Sequence, residues 1–392
     1  MKKLIDCVEI LDSKRIPLSS NQRNKLEKIY PYYGAQGIID YVNDYIFEGK
    51  YILVAEDGNN LKSQNTNICT WVNGKFWVNN HAHILGKKSG YDLKYIYYYL
   101  SSLDLSRYVT GSAQPKLNQD NLAKIELSLP SFTKQKNTSF FLSAIDRKIE
   151  NNNHIISELE SLTKTIYDYW FMQFDFPDEN GKPYRSSGGK MVWNDELKRE
   201  IPEGWRVGTL SDIANFNMGQ SPKGQSYNTN SMGYPLINGA AELTKDKIKI
   251  EKYTSKANRF SNINDWIFCI RATIGNIQCS DKEYALGRGV ASATVKEETF
   301  FEYLYFLLNE MCNYYEKILI GSIISGMTRE DIINYSCIIP DKRVVSKFHT
   351  ISKDSFQIIE SLKKEDQQLA SLRDFLLPLL MNGQVTFRDA DK

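Results

Sequence analysis

The chain has 392 residues, of which 42% are hydrophobic and 24% charged, so it can form more than one folded core. Its 49 Lys and Arg residues nearly balance its 47 Asp and Glu residues, and the net charge of +2 excludes a uniformly basic nucleic-acid binder and an acidic disordered chain. The six cysteines form no Cys-x-x-Cys pair, so we expect reduced thiols and no metal site. Asp6 and Glu9 interrupt the segment in which a signal peptide needs an apolar core, which predicts a cytoplasmic protein.

The predicted elements follow the same order twice along the chain. Each half begins with short β-rich runs between Gly- and Asn-rich loops, continues with an aromatic helix, and ends in a long helix. This order predicts an α/β fold with two tandem-related modules. The predicted boundaries are a first module at 1–135, a first long helix at 136–171, a linker at 172–205, a second module at 206–345, a second long helix at 346–382 and a C-terminal tail at 383–392.

An internal repeat with an offset of 210 residues underlies this organisation. The segment Gly111–Leu122 aligns with Gly321–Ile332, and the same offset relates Leu159 to Leu369. A period of this length is too long for a solenoid unit and indicates two copies of one module. Two copies in one chain predict a pseudo-two-fold surface, which suits a partner with two similar halves, such as a DNA duplex with two half-sites.

The two long helices carry apolar residues at a spacing of about 3.5 residues, which is typical of coiled coils. Asn152 and Thr163 fall on the apolar stripe of the first helix, and Asn382 followed by Gly383 is a signal for the end of the second. Each helix would be about 50 Å long. We expect the helices to pack against each other as an antiparallel coiled coil that separates the two modules. The alternative is that each helix packs only against its own module.

Catalytic signals are weak in this sequence. No segment has the Gly-x-x-x-x-Gly-Lys-Ser/Thr order of a nucleotide-binding loop. One alternative function is an autonomous Mg²⁺-dependent nuclease that uses Asp178, Glu196 and Lys198. Because these residues lie in a polar segment that is predicted to be a linker without its own core, we expect no catalytic residues. A second alternative is a coiled-coil scaffold that binds no DNA.

Polar loops next to the predicted strands are the best candidates for binding DNA. Asn and Gln can pair with adenine, Lys and Arg can bind guanine or phosphate, and Gly permits close backbone approach. Residues 50–136 carry 11 basic and 6 acidic side chains, whereas residues 137–171 carry 3 and 5, so basic charge is concentrated in the module. The alternative is that these residues only form turns. The candidate DNA-binding residues are Gln36, Asn59, Asn60, Lys62, Asn79, Asn80, His81, His83, Gln220, Ser221, Lys223, Asn238, Arg271, Thr273 and Arg288.

The chain resembles the specificity subunits of type I restriction-modification systems over nearly its whole length. The resemblance rests on several segments that together are specific, although each alone is weak. They are Pro130-Ser-Phe-Thr-Lys-Gln, Tyr169-Trp-Phe-Met-Gln-Phe, Ser186-Ser-Gly-Gly-Lys-Met, Glu200-Ile-Pro-Glu-Gly-Trp, Gly219-Gln-Ser-Pro-Lys and Leu376-Leu-Pro-Leu-Leu-Met-Asn-Gly-Gln-Val. The resemblance implies two target-recognition domains, each of which reads one half of a bipartite, gapped DNA sequence. One departure is Asp341-Lys-Arg-Val, where the family often has a Pro-Gln-rich entry to the second helix.

The resemblance also implies the partners of the chain. The helices would dock two methyltransferase subunits, and restriction subunits with motor and nuclease activity would join the full complex. The chain itself would be non-catalytic and bind no cofactor, because S-adenosylmethionine, ATP and Mg²⁺ would be bound by the partner subunits. The candidate partner-binding residues on the helices are Ile149, Ile156, Leu159, Trp170, Phe171, Ile359, Leu369, Phe375 and Leu376.

Overall fold

The computed structural model describes residues 1–58, 60–63, 67–111, 114–271, 273–319 and 326–386. The chain forms two compact units. Unit 1 comprises Met1–Glu150 with Gln367–Lys392, and unit 2 comprises Asn151–Asp366. Among the described residues, no helix is both long and apolar enough to cross a membrane.

Unit 1 contains a six-stranded sheet that is antiparallel except for one pair of strands. The elements of residues 1–167 are β1 (Lys2–Lys3), α1 (Leu4–Cys7), β2 (Val8–Ile10), α2 (Ser20–Arg23), β3 (Tyr30–Gly34), β4 (Gly37–Val42), β5 (Phe47–Ala55), α3 (Asn60–Ser63), β6 (Cys69–Val78), β7 (Ala82–Lys87), α4 (Leu93–Ser102), α5 (Gln119–Ala123), β8 (Glu126–Leu127) and α6 (Phe132–Tyr167). The strand order in the sheet is β2-β7-β5-β6-β3-β4. A separate antiparallel pair joins β1 to β8, directly before α6.

The apolar face of α4 anchors the core of unit 1. The helix begins at Leu93 because the side chain of Asp92 accepts a hydrogen bond from the backbone N–H of Tyr95 at 2.8 Å. Its buried residues, which include Tyr95 and Ile96, pack with Leu142 of α6 in one apolar cluster. On the same helix, Tyr98 donates a hydrogen bond to Asp146 of α6. The aromatic helix predicted for the first half is therefore confirmed as a core element.

Unit 2 repeats part of this architecture and divides its strands among more sheets. The elements from residue 191 onward are β9 (Met191–Asn194), β10 (Arg199–Pro202), β11 (Arg206–Thr209), α7 (Leu210–Ile213), β12 (Ala214–Met218), β13 (Tyr227–Asn228), β14 (Tyr234–Ile237), β15 (Tyr253–Thr254), β16 (Trp266–Cys269), β17 (Gly275–Cys279), β18 (Ala285–Leu286), β19 (Val290–Val295), α8 (Phe301–Leu319), α9 (Arg329–Ile333), β20 (Ser336–Ile339) and α10 (Lys342–Met381). Its main sheet has the order β12-β19-β16-β17, which matches β2-β7-β5-β6 of unit 1. The pair β11 and β20 matches β1 and β8, and α9 lies 210 residues after α5. The predicted repeat and the mixed α/β fold are confirmed.

The segment 172–205, which was predicted to be a linker without its own core, packs against unit 2 in the structure. Phe174, Phe176 and Trp205 are buried in the main apolar cluster of unit 2, and the rings of Phe176 and Trp205 stack with their centroids 5.1 Å apart. The hairpin of β9 and β10 lies between them in sequence. The Pro, Gly and Ser residues of this segment form its turns, while its aromatic residues pack on unit 2.

The long helices begin earlier than predicted, at Phe132 and Lys342. The second start follows from Asp341, whose side chain accepts a hydrogen bond from the backbone N–H of Arg343 at 2.8 Å. A π-helical turn, Asp168–Met172, extends the end of α6. At the end of α10, Gly383 has φ +72°, which is the left-handed conformation predicted for the cap.

Within unit 2, the parts of α6 and α10 that it contains run antiparallel. Near the start of this stretch of α6, the Asn152 amide donates to Glu365 at 2.8 Å and to Asp366 at 2.7 Å. Near the end of α6, Tyr167 packs against Phe348, which lies close to the start of α10. Asn152 is fully buried. Its hydrogen bonds to Glu365 and Asp366 across the helix pair explain why a polar residue lies on the predicted apolar stripe.

Candidate nucleic-acid interface

In unit 1, the loops predicted to bind DNA meet at one end of the sheet. The last residue of β5, Ala55, pairs with the first residue of β7, Ala82. Backbone hydrogen bonds join the loops that continue from there. The N–H of Glu56 donates to the carbonyl of His81 at 2.9 Å, and the N–H of Leu117 donates to the carbonyl of Glu56 at 2.8 Å. Three separate chain segments therefore form one loop cluster.

A buried pair of hydrogen-bonded side chains, His83 and Asp12, fixes this loop cluster. His83 is 1% exposed, its Nδ1 lies 2.5 Å from Asp12 Oδ2, and its Nε2 lies 2.7 Å from the carbonyl oxygen of Leu117. Burial alone would raise the pKa of Asp12, but the hydrogen bond and charge of His83 and the N–H of Ile84 outweigh burial, so this pKa is lowered from 3.8. One ring nitrogen of His83 faces the Asp12 carboxylate and the other faces the carbonyl of Leu117. The two contacts hold the ring from both sides.

An ion-pair group at this end is centred on Glu56. Arg15 Nη1 lies 2.6 Å and Lys116 Nζ lies 3.2 Å from the Glu56 carboxylate. Burial would raise the pKa of Glu56, whereas Arg15, His83 and Lys116 lower it, and the net pKa shift is downward. Both cations thus share one carboxylate within unit 1, which offsets part of their positive charge.

The predicted DNA-binding residues of unit 1 fall into two groups. Those with exposed side chains are Gln36, Lys62, Asn80 and His81. Those that are buried are Asn60, Asn79 and His83. The buried residues stabilise the loops. For example, Asn79 Oδ1 accepts a hydrogen bond from the backbone N–H of His81 at 2.8 Å. Buried side chains cannot reach a duplex in this conformation, so only the exposed group is presented to one. Asn59 lies outside the described residues.

In unit 2, the equivalent end of the sheet brings together the loops 219–223, 238–239, 270–271 and 287–289. The backbone N–H of Gln220 donates to Leu286 at 2.9 Å, that of Gly287 donates to Ile237 at 2.8 Å, and that of Ile270 donates to Gly289 at 2.9 Å. The structure therefore collects the predicted residues of unit 2, which are distant in sequence, into one loop cluster.

Glycine is required where these loops cross. A Cβ atom on Gly219 would lie 2.1 Å from the carbonyl oxygen of Gly287, and one on Gly289 would lie 2.1 Å from the carbonyl oxygen of Asn238. Backbone atoms cannot move aside as a flexible side chain can. The Gly-rich sequence of this region thus permits close packing of loops. A comparison with phosphate-binding motifs alone does not predict this role of the glycines.

A buried carboxylate that the sequence reasoning missed orients one of the candidates. Glu242 is 4% exposed and accepts hydrogen bonds from the backbone N–H groups of Asn238 and Gly239, both at 3.2 Å. The only available signal was an acidic residue shortly after an Asn-Gly turn. In the same cluster, Ser221 Oγ accepts a hydrogen bond from Arg288 Nε at 3.2 Å.

The positive charge of this cluster is exposed. The side chains of Lys223, Arg271 and Arg288 lie at the surface, as do those of Gln220 and Thr273. Within the described part of the chain, none of the three cations forms an ion pair with an acidic side chain. Unit 2 therefore presents uncompensated cations, whereas the cations Arg15 and Lys116 of unit 1 are bound to Glu56.

The predicted partner-binding residues of the helices also divide by burial. Four of them are buried in the structure: Ile156, Trp170, Phe171 and Ile359. Trp170 and Phe171 belong to the main apolar cluster of unit 2 and contact Phe348 there. Those that are partly exposed are Ile149, Leu159, Leu369 and Leu376. Phe375 is 66% exposed and is the most accessible of the nine.

The residues of the nuclease alternative are not brought together as a metal site. Asp178 accepts hydrogen bonds from the backbone N–H groups of Asn180 and Lys182 in its own turn, both at 2.8 Å. Glu196 accepts a hydrogen bond from Ser336 at 2.9 Å. In the described ranges, no group of three His, Cys, Asp or Glu side chains is placed to hold a metal ion. The arrangement gives this alternative no support.

A protein family and several known proteins are similar to this chain in sequence. The family described as type I restriction modification DNA specificity domain matches residues 1–161 and 202–367. The chain is 28% identical over 319 residues to the MjaIX type I restriction enzyme specificity subunit of Methanocaldococcus jannaschii, which covers 76% of this chain and 70% of that protein. It is 22% identical over 388 residues to the MjaVIII specificity subunit of the same organism, covering 93% and 88% of the two chains.

A solved structure shows the same fold. The crystal structure of the type I restriction-modification S subunit from M. genitalium superposes with a TM-score of 0.66 at 17% identity, covering 100% of this chain and 96% of that one. The two family matches coincide with the two repeated halves and together cover most of the sequence. The chain therefore belongs to the family of type I restriction modification DNA specificity domains and carries two of them.

Proposed function

We propose that the chain is the DNA sequence-recognition subunit of a type I restriction-modification complex, in which each unit reads one half of a bipartite, gapped target. The observation that carries the proposal is that the same strand order occurs in both units and gathers polar loops at the equivalent end of each sheet. Loops from rigid strands can present Asn, Gln and His to base edges and Lys and Arg to phosphates. Family membership supports the same assignment.

The proposal includes partners and cofactors. We infer that the chain is non-catalytic and that its long helices bind two methyltransferase subunits, with restriction subunits added in the full complex. S-adenosylmethionine, ATP and Mg²⁺ would then be bound by those partners. The exposed Phe375 and its partly exposed neighbour Leu376 on α10 are the best supported candidates for this docking surface.

Reconstitution tests this proposal. The chain is incubated with duplex DNA and S-adenosylmethionine, with and without a methyltransferase subunit of a type I system. We expect sequence-dependent adenine methylation only when both proteins are present, at two half-sites about one helical turn apart. Methylation or cleavage by this chain alone would contradict the non-catalytic role, and sequence-independent methylation by the pair would contradict recognition.

Lys223 is expected to contact a phosphate. It is exposed, has no acidic partner among the described residues, and lies among the polar loops of unit 2. Lys223→Ala should weaken binding to all sequences similarly and reduce the slope of log affinity against log salt by about 1. Fluorescence anisotropy at several salt concentrations measures both. Lys282→Ala is the matched control. Lys282 follows the last residue of β17, whereas the loop cluster contains residues that precede the first residue of this strand. An equal effect of the two variants would refute the assignment.

Phe375 is expected to anchor a methyltransferase subunit. Its ring is 66% exposed, so Phe375→Asp should leave the fold intact. Placing a charge at an apolar anchor should weaken complex formation by about tenfold or more. Analytical ultracentrifugation of the mixed subunits measures this affinity. Met232→Asp, at an exposed apolar residue in a loop of unit 2, serves as control; unchanged assembly of Phe375→Asp would remove this residue from the interface.

A further inference from the structure

We propose that Asp57 and His81 form a base-reading pair in unit 1, and that this pair accepts a hydrogen bond from the exocyclic amino group of an adenine or cytosine in the major groove. The inference rests on the proposed function and assigns a specificity-determining site within it. It is drawn from the geometry of these two side chains, the contacts that hold them, and the charge around them.

The two side chains form an exposed, ordered pair. His81 Nδ1 lies 2.6 Å from Asp57 Oδ2, and the side chains are 50% and 22% exposed. A carboxylate only accepts, so in the neutral ring the proton lies on Nδ1 and Nε2 is an acceptor. In the described part of the structure, neither Nε2 nor Asp57 Oδ1 has a hydrogen-bond partner. Two acceptor atoms are therefore presented together at the surface.

The backbones that carry the pair are fixed from several sides. The N–H of His81 donates to the Asn79 side chain at 2.8 Å, and the carbonyl of His81 accepts the N–H of Glu56 at 2.9 Å. Asp57 forms a β-bridge with Lys116. The buried pair of His83 and Asp12 holds the same loops. Such support places a side chain with the accuracy that hydrogen bonding to a base edge requires.

The local charge favours a base edge over a phosphate. Arg15 and Lys116, the cations beside the pair, are bound to Glu56, and Asp57 adds a further carboxylate at the surface. A carboxylate repels phosphate, whereas it accepts readily from the amino group of cytosine. The major-groove edges of adenine and cytosine each carry one amino donor, while guanine and thymine present acceptors there. Two adjacent acceptors therefore select an amino group.

A binding experiment on the reconstituted methyltransferase complex tests the pair. The variants are His81→Ala, His81→Gln and Asp57→Asn, and the control is Asp44→Asn, whose carboxylate accepts only the neighbouring N–H of Tyr45 in the contacts seen here. Affinity is measured by competition against duplexes that vary each base pair of the target, at several salt concentrations. Thermal melting of each variant verifies its fold; His81→Gln provides a polar replacement if His81→Ala melts early.

The expected result is a loss of discrimination of about tenfold or more at one base pair of one half-site in the Asp57 and His81 variants, with an unchanged salt slope. The control should behave as the wild type. An equal loss of affinity for all sequences with a slope lower by about 1 would identify a phosphate contact and overturn the inference. Unchanged discrimination at every base pair would overturn it as well. A wild-type complex without sequence-dependent binding would instead refute the proposed function.

Discussion

Replacing His83 with Ala is expected to lower the free energy of unfolding by about 3 kcal/mol, because the buried Asp12 carboxylate loses its short hydrogen bond and keeps only Arg15, 3.6 Å away, as an ion-pair partner. The side chain of Asp12 is 4% exposed, so bulk water cannot replace the hydrogen bond to the imidazole ring. The variant also removes the donor to the carbonyl of Leu117, which joins the loop 115–117 to the sheet. The largest stability effect among the predicted site residues should therefore come from a residue that DNA does not touch.

Urea unfolding measures this loss, with His154→Ala, at an exposed histidine of α6, as the control. Removing both partners should cost less than the sum of the single losses, because no unpaired charge remains. The lowered pKa of Asp12 means that its contribution is present above its unfolded pKa and is lost as pH falls through its folded pKa. The difference between His83→Ala and the wild type should thus shrink below the ordinary Asp value of 3.8. A His83→Ala variant as stable as the wild type would contradict the stabilising role of the His83–Asp12 contact.

Gly289→Ala is expected to disrupt the loop cluster of unit 2 and abolish reading of one half-site. The added Cβ would lie 2.1 Å from the carbonyl oxygen of Asn238, and the carbonyl of Gly289 also accepts the N–H of Ile270. Relieving the clash must shift backbone in two loops, which we expect to cost about 1–3 kcal/mol of unfolding free energy.

Gly239→Ala is the matched control for this variant. Gly239 lies in the same cluster, but a Cβ atom there would meet nothing within 4 Å. Denaturation and methylation mapping should separate the two alanine variants, with only Gly289→Ala losing stability and recognition. Equal behaviour of both variants would show that tight crossing of the loops is not needed for reading.

The repeat and the long helices were predictable because their signals are periodic. An offset of 210 residues and an apolar spacing near 3.5 need no knowledge of distant contacts. The structure bears out the repeat in the shared order of four strands and in the short helices α5 and α9. The packing of Phe174 and Trp205 on unit 2 was missed because the turn-forming residues between them dominate the local composition.

The candidate site was predictable only in part. Residue type identified His81 and Lys223 as well as His83, but nothing local distinguishes an exposed polar residue from one that holds a loop. The partner of His83, Asp12, lies 71 residues away in sequence. Glu242 was not predicted as a site residue, because an acidic side chain near a turn is common. Its burial depends on tertiary packing, which the local sequence does not show. Which polar residues face solvent is decided by long-range packing, which a single sequence does not encode locally.

Methylation mapping of a chimeric chain tests the central claim most directly. Residues 1–131 are replaced by the corresponding segment of a related specificity subunit with a different target, so that α6 and all of residues 132–392 remain. The complex is reconstituted with its methyltransferase, and methylated adenines are mapped across a genome. If each unit reads one half-site, one half of the target changes to that of the donor while the other half stays the same. A change in both halves, or in neither, would contradict the account.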